Sequence, residues 1–214
     1  MEKLTIALAK GRPAKNTIDL LQSAGIYFKD FHEKSRKLVF YNADQSIKLI
    51  FVKAVDVPTY VERGAADIGI VGKDNILESQ AKVYELLDLD LGKCKFAVAG
   101  YADFRPDFNQ KLTVATKYPN VAKRFFGQKG QSIETVKLNG SVELAPLIGL
   151  AEVIVDIVET GSTLKENGLT VLEDIEKIST RLIVNQASFA TKAQEVKHFI
   201  EKLKEALESA SCKS

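Results

Sequence analysis

The residues best suited to chemistry fall in one stretch, Val153-Ile-Val-Asp-Ile-Val-Glu-Thr-Gly-Ser-Thr-Leu164. An apolar run ends in the acids Asp156 and Glu159 and opens into a Thr-Gly-Ser-Thr turn. A short helix is expected to follow, so several backbone N–H groups would face one point, and a phosphate suits such a point. Gly161 permits close approach of the backbone, and the hydroxyls of Thr160, Ser162 and Thr163 add donors for phosphate oxygens. Carboxylates at Asp156 and Glu159 would repel a bare phosphate yet accept hydrogen bonds from ribose hydroxyls, so a sugar phosphate accounts for both halves of the segment. The same residues also read as an acid and Ser/Thr cap after a β-strand, and on the motif alone the two readings weigh equally. The segment is not a Walker loop, because the Gly-Lys-Ser/Thr ending is missing, and no Gly-x-Gly-x-x-Gly occurs.

A second constellation, Lys10-Gly-Arg12, lies between an apolar run and the helix that Pro13 opens, where ligands often meet the carboxyl ends of strands. A glycine between two cations at a helix start favours a polyphosphate. Arg36 with Lys37, Lys53 and Lys73-Asp74 fall at further strand ends or loops of the same half. Each singly reads as solvated surface; together they would line a cleft facing the Thr-Gly-Ser-Thr turn. In the other half Lys117 and Ser141-Val-Glu143 hold comparable positions, although Glu143 equally fits a first-turn acid favoured by the helix dipole.

Composition bounds these readings. The 214 residues are 45% hydrophobic and 27% charged, the balance of an ordinary folded chain rather than a disordered, collagenous or coiled-coil one. Thirty Lys and Arg against 28 Asp and Glu leave a formal charge of +2, too small and too evenly mixed for a nucleic-acid stripe or a membrane patch. Any bound anion must be held by a local pocket. Cys94 and Cys212 lie far apart without ligand spacing, so no zinc site or disulfide framework is indicated; a buried small residue and a tail residue are expected. His32 and His198 read as solvated surface. The run Leu4–Ala9 is too short for a signal-peptide core, and no apolar stretch approaches the ~20 residues of a spanning helix. A cytoplasmic chain is expected.

Short apolar runs alternating with amphipathic segments predict an α/β protein with largely parallel strands. Strands are expected at Leu4–Ala9, Leu38–Tyr41, Ile47–Val52, Ile68–Val71, Tyr84–Leu87, from Lys95, at Ile133–Leu138 and at Arg181–Val184. Leu38–Tyr41 and Ile47–Val52 should form a hairpin, and Asp56 should cap a helix that Gly64 stops. Laying Asp56 on Ser141, an offset of 85, makes both residues helix caps, brings Val57 onto Val142, Ala66 onto Ala151 and Asp67 onto Glu152, and starts an apolar strand next in each copy. Two similar lobes are predicted: 1–92 with 180–214, and 93–179, the second carrying the Thr-Gly-Ser-Thr turn. A last helix, Ala190–Leu207, places Val196, Phe199, Ile200, Leu203 and Leu207 on one face, to pack on the first lobe.

Together, Leu8-Ala-Lys-Gly-Arg12, Ser35-Arg-Lys-Leu38, Asp56-Val-Pro-Thr-Tyr-Val61, Gly64–Asp74, Ala115-Thr-Lys-Tyr118, Gly140-Ser-Val-Glu-Leu-Ala-Pro146 and Asp156–Leu164 resemble the catalytic chain of the ATP phosphoribosyltransferase family. The resemblance keeps motif order to Asn185-Gln-Ala187. It implies a glycosyltransferase that joins N1 of ATP to the ribose of phosphoribosyl pyrophosphate, releases pyrophosphate and opens histidine biosynthesis, with Mg2+ carried by substrate. The implied fold is periplasmic-binding-protein-like, two lobes with mixed, largely parallel sheets and the active site in the interlobe cleft.

Carried over residue by residue, Glu159, Thr160, Gly161, Ser162, Thr163 and Leu164 would hold the 5-phosphate, with Asp156 near the ribose hydroxyls. Lys10, Gly11, Arg12, Asp74 and Lys117 would serve the ATP or pyrophosphate side. Arg36, Lys53 and Lys10 would be catalytic, Arg36 neutralising the leaving pyrophosphate; the position of Lys53 is often Arg in the family. Glu143 would approach a magnesium-bound group. The chain resembles the short form, which works with a regulatory subunit resembling a histidyl-tRNA synthetase, so a hetero-oligomer is implied, with a homodimer for the chain alone. Two other readings stand beside this one: a cytoplasmic two-lobed binding protein for a small anionic ligand, and a transferase for another nucleobase using the same sugar donor.

Overall fold

Leu4–Ala9 is apolar at nearly every position and five of its six residues are buried, the mark of a parallel strand covered on both faces. This strand, β1, opens the computed structural model, which describes residues 3–32, 35–107 and 109–211. In chain order there follow α1 (Arg12–Ser23), β2 (Val39–Tyr41), β3 (Ile47–Val52), a 3-10 turn at Ala54–Asp56, α2 (Val57–Glu62), β4 (Ile68–Gly72), α3 (Lys73–Ser79) and β5 (Val83–Asp88). Next come β6 (Cys94–Gly100), β7 (Leu112–Thr116), α4 (Pro119–Gln128), β8 (Ile133–Lys137), α5 (Leu144–Leu147), β9 (Val153–Val158), α6 (Ser162–Glu166) and β10 (Thr170–Ile178). The chain ends with β11 (Thr180–Asn185), α7 (Gln186–Thr191) and α8 (Ala193–Ser211).

The chain divides into two compact units, Met1–Gly92 with Ser179–Ser214, and Lys93–Ile178. Each is built on one sheet, ordered β2-β3-β1-β4-β11-β5 in the first and β10-β6-β9-β7-β8 in the second. Reading the first from β3 and the second from β8 gives one pattern: two parallel neighbours, β3·β1·β4 and β8·β7·β9, then two antiparallel ones, β4·β11·β5 and β9·β6·β10. The offset of 85 residues has a structural counterpart. Asp67 precedes β4 and Glu152 precedes β9; Asp67 accepts the Thr5 N–H at 2.8 Å and Glu152 accepts the Thr113 N–H at 2.6 Å. Val57, Val142, Ala66 and Ala151 are all buried.

Unit 1 has apolar clusters on both faces of its sheet. One joins Ile6, Leu8 and Leu182 to Ile18 and Leu21 of α1 and to Val196, Phe199 and Leu203 of α8; the other joins Ala7, Ala9 and Ile183 to Val57 and Val61 of α2. The second unit packs Ala97, Ala115 and Ile154 against Val142, Ala145 and Leu164. No described helix is long and apolar enough to cross a membrane.

Some local expectations change. The predicted cap at Ser141 is not a cap: its φ is +48°, and α5 starts three residues later with Glu143 at the N-cap. Asp56 does sit at the N-cap of α2, but its side chain makes no capping hydrogen bond, because the 3-10 turn leads directly into the helix. The predicted final helix is two helices. Asn185 leaves β11 in an extended conformation and accepts the Ser188 N–H at 2.9 Å, which starts α7 earlier than predicted. Lys192 then departs from helical geometry before α8 begins. Cys94 is half-buried, His32 and His198 are exposed, and Cys212 lies outside the described residues.

Candidate active site

In a parallel sheet the carboxyl ends of the strands gather on one edge, and register decides which residues are neighbours there. In unit 1 the β1·β3 ladder ends at Ala9↔Val52 and the Lys10 N–H donates to the Val52 carbonyl at 2.9 Å, so Lys10 and Lys53 follow one another's strands side by side. On the other flank Leu8 pairs with Ile70 of β4, which brings the Gly72-Lys73-Asp74 turn to the same edge. Lys10 and Lys53 are exposed; Asp74 is buried and accepts from Asn75 Nδ2 at 2.8 Å. Gly72 has ordinary extended backbone, but a Cβ there would lie 2.2 Å from Asp74 Oδ1, so any side chain would displace the carboxylate.

Gly11 stands at the N-cap of α1 with φ +117°, a conformation that favours glycine. No side chain caps the helix there and its first turn carries no acid, so the helix dipole favours an anion, while the proline in the first turn has no N–H and the Ala14 N–H is taken by the Gly11 carbonyl at 3.0 Å. Arg12 is the first residue of α1, and its side chain lies outside the described ones. Arg36 is exposed in the segment before β2.

A cavity of about 590 Å3 opens beside this helix start, with Lys10, Lys15, Ser35 and Lys37 at its polar wall and Phe31 and Phe40 at its apolar one. Phe31 stacks on Phe51 at 5.5 Å between centroids and meets Phe40 edge-on at 5.4 Å. Sequence reading did not single out Lys15 or the phenylalanines; their spacing carries no periodic signal, and only the pairing of β2 with β3 brings Phe40 and Phe51 together.

In unit 2, Thr116 pairs with Val155, so the next residues, Lys117 and Asp156, sit side by side on neighbouring strands. The buried Thr116 hydroxyl locks this end: it donates to the Val155 carbonyl at 2.6 Å and accepts the Tyr118 N–H at 2.8 Å. Lys117 is half-buried, its ammonium 5.5 Å from the Tyr118 ring centroid, and Asp156 is half-buried. Two residues past Asp156 the strand ends, and Glu159 and Thr160 are exposed.

Gly161 turns the chain at φ +77° and forms the N-cap of α6 without a side-chain capping bond. The hydroxyls of Thr160 and Ser162 lie 3.0 Å apart, and the Ser162 N–H reaches Thr160 Oγ1 at 3.4 Å. Thr163 is exposed, whereas Leu164 is buried in the unit's core, so its side chain anchors the turn and only its backbone can face a ligand. Glu143, half-buried, leads into α5. Among the described residues no three His, Cys, Asp or Glu side chains are grouped to hold a metal ion.

Known proteins give this geometry a context. The family model described as HisG, ATP phosphoribosyltransferase, matches residues 53–205. The chain is 64% identical over 203 residues to an ATP phosphoribosyltransferase of Oceanobacillus iheyensis, covering 95% of this chain and 98% of that protein. It is 55% identical over 205 residues to one from Alkaliphilus metalliredigens, covering 96% and 98%. Among solved structures, a chain from the ATP phosphoribosyl transferase (HisG:HisZ) complex of Thermotoga maritima aligns with a TM-score of 0.84 at 37% identity, covering 96% of this chain and 99% of that one. With identity this high over nearly the whole of each relative, and with the paired sheets expected of a periplasmic-binding-protein-like fold, the chain belongs to the ATP phosphoribosyltransferase family, the enzymes that join ATP to phosphoribosyl pyrophosphate in the first step of histidine biosynthesis.

Proposed function

We propose that the turn Glu159–Leu164 holds the 5-phosphate of phosphoribosyl pyrophosphate and that Asp156 accepts hydrogen bonds from its ribose hydroxyls. The observation that carries this assignment is the left-handed Gly161 opening an uncapped helix directly after an acid-bearing strand, with the Thr160, Ser162 and Thr163 side chains exposed around it. Phosphate oxygens then take the orphan N–H groups and hydroxyls, while the sugar lies back along the strand toward Asp156.

Breaking the bond from C1 of ribose to pyrophosphate leaves positive charge on the sugar and adds negative charge to the leaving group. Fixed cations beyond the leaving oxygens stabilise that charge separation, and fixed charge is the main lever such a site has. Lys10 and Lys53, neighbours by register, and Arg36 supply it in this proposal, with Gly11, Arg12, Asp74 and Lys117 contacting ATP or pyrophosphate. Lys53 stands where the family often has Arg; an ammonium neutralises as a point charge without the bidentate fork. N1 of adenine is a nucleophile that needs positioning, not deprotonation, so no Ser-His-Asp or Cys-His set is required.

Magnesium belongs to this reaction as a substrate-borne ion. Such an ion would be held by phosphate oxygens with one or two carboxylates and several waters rather than by an all-protein cage, and would supply positive charge beside the leaving pyrophosphate. Glu143, half-buried at the start of α5, is the one acid assigned to approach that ion; the rest of the ion's shell would come from the substrate. As in the Thermotoga maritima complex, a second subunit is the expected partner here, of the regulatory kind that resembles a histidyl-tRNA synthetase; alone the chain would form a homodimer. A cytoplasmic location fits these substrates and this pathway.

The test mixes the purified chain with ATP, phosphoribosyl pyrophosphate, Mg2+ and pyrophosphatase and follows N1-phosphoribosyl-ATP by mass spectrometry. A Thr160→Ala, Thr163→Ala double variant, altered only at exposed positions, is expected to stay folded and to raise KM for phosphoribosyl pyrophosphate about tenfold or more, as two lost hydrogen bonds to a charged group predict. An unchanged KM would remove the turn from the site.

A further inference from the structure

Behind the Gly72–Asp74 turn, five residues of unit 1 form a closed ring of contacts that the reaction scheme does not use. The Lys73 N–H donates to the Ser179 carbonyl at 3.0 Å. The Ser179 hydroxyl donates to Asp88 Oδ1 at 2.7 Å, and Asp88 Oδ2 pairs with Arg181 Nη2 at 2.9 Å. Arg181 Nε faces Glu85 Oε1 at 3.4 Å, and the same oxygen faces Lys73 Nζ at 3.8 Å, which returns the ring to its start. Arg181 is central. It sits on β11 opposite Val71 of β4 on one side and Asp88 of β5 on the other, with only 19% of its side chain exposed. Its guanidinium lies between two carboxylates, paired closely with Asp88 and facing Glu85 through a buried Nε that makes no hydrogen bond, so it serves both as a shared counter-ion.

We propose that Arg181 is a positioning residue for the Gly72-Lys73-Asp74 turn. Without the guanidinium, Glu85 and Asp88 lose their shared counter-ion and Lys73 becomes the nearest cation to both. The ammonium is then drawn toward Asp88, Ser179 loses its fixed acceptor, and the backbone bond that sets the height of the turn loosens. Because the Asp74 carboxylate is buried beside Gly72 and held by Asn75 Nδ2 at 2.8 Å, its place follows the turn. The inference rests on the reading of Asp74 as a substrate contact.

The test compares Arg181→Met, Arg181→Lys, Asp88→Asn and Asp74→Asn in steady-state assays of the full chain, with thermal melts alongside. Misplacing a substrate contact by about 1 Å costs up to ~100-fold in rate, so Arg181→Met should lower kcat tenfold or more per folded molecule, with KM for phosphoribosyl pyrophosphate changed less than twofold. Arg181→Lys should fall between Met and wild type. A purely structural ring would lower the melting temperature and leave kcat per folded molecule unchanged, and that result overturns the proposal. If Arg181→Met does not fold, Asp88→Asn must show the same split, and wild-type kcat there overturns it equally. Full activity in Asp74→Asn would instead overturn the assignment of Asp74; an inactive Asp74→Asn beside a fully active Arg181→Met would overturn the positioning role alone.

Discussion

Asp67 and Glu152 occupy matching places in the two units, yet their surroundings predict very different costs of removal. The Asp67 carboxylate, 8% exposed, accepts the Thr5 N–H at 2.8 Å and the Ser188 hydroxyl at 2.7 Å, and pairs with Lys192 Nζ at 3.0 Å. It thereby fastens β1 and the α7–α8 junction to the start of β4. Asp67→Ala strips three donors of their acceptor, one of them an ammonium that is 22% exposed. Breaking such a buried pair costs about 3–5 kcal/mol, and the lower end applies because Lys192 can turn toward water. Glu152 is exposed and accepts one bond, from the Thr113 N–H, so Glu152→Ala should cost about 1 kcal/mol. At roughly 2–4 °C per kcal/mol for a chain of this size, Asp67→Ala should lower Tm by about 6–12 °C and Glu152→Ala by about 2–4 °C. Asp67→Asn, which keeps an acceptor but loses the charge, should fall between them. Thermal melts followed by far-UV circular dichroism measure all three. Equal shifts for the two alanine variants would refute the argument that burial, and not the shared position, sets the cost.

Two further outcomes follow from local geometry. At Gly69, buried in β4, a Cβ would lie 2.7 Å from Val61 Cγ2 and 2.9 Å from Ile183 Cγ1, so Gly69→Ala should destabilise by about 1–3 kcal/mol by overpacking, read as a lower urea midpoint with an unchanged m-value. Burial raises the Asp88 carboxyl, but the Asp90 N–H, the Ser179 hydroxyl, Arg181 and Lys73 together outweigh it and hold the carboxyl below its usual range. A carboxylate with a depressed folded pKa stabilises above its unfolded value, near 3.9, and that contribution disappears as pH falls through the folded value. The stability gap between wild type and Asp88→Asn should therefore be constant above about pH 5 and close on acidification; a gap that widens in acid would contradict the sign.

Much of the fold was legible because its strands are short apolar runs between punctuating residues. Leu4–Ala9, Ile47–Val52 and Ile68–Gly72 stand out in this way, and Gly64 ends the segment it was expected to end. What misled was local likeness. Ser141 resembles a cap in type, but its positive φ and a four-residue helix replace the longer helix found at Asp56 in the first unit. Asn185 is a local N-cap for Ser188, three residues on, and could have been read as a helix start; the break at Lys192 could not, because Lys192 is tied to Asp67, which is far away in the chain.

The candidate site divides in the same way. Sequence alone determined which chemistry each strand end could offer: cations at Lys10 and Lys53, an acid at Asp74, and hydroxyls around Gly161 after Asp156. These are properties of residue type and of strand–turn–helix order over a few positions. Only the tertiary structure decided which of them are neighbours. Lys10 lies beside Lys53 because Ala9 pairs with Val52, Lys117 beside Asp156 because Thr116 pairs with Val155, and Arg181 behind Lys73 because β11 returns between β4 and β5 after the whole second unit has intervened. Strand order and register are fixed by hydrogen bonds and burial between segments far apart in the chain, and no spacing within one segment encodes them.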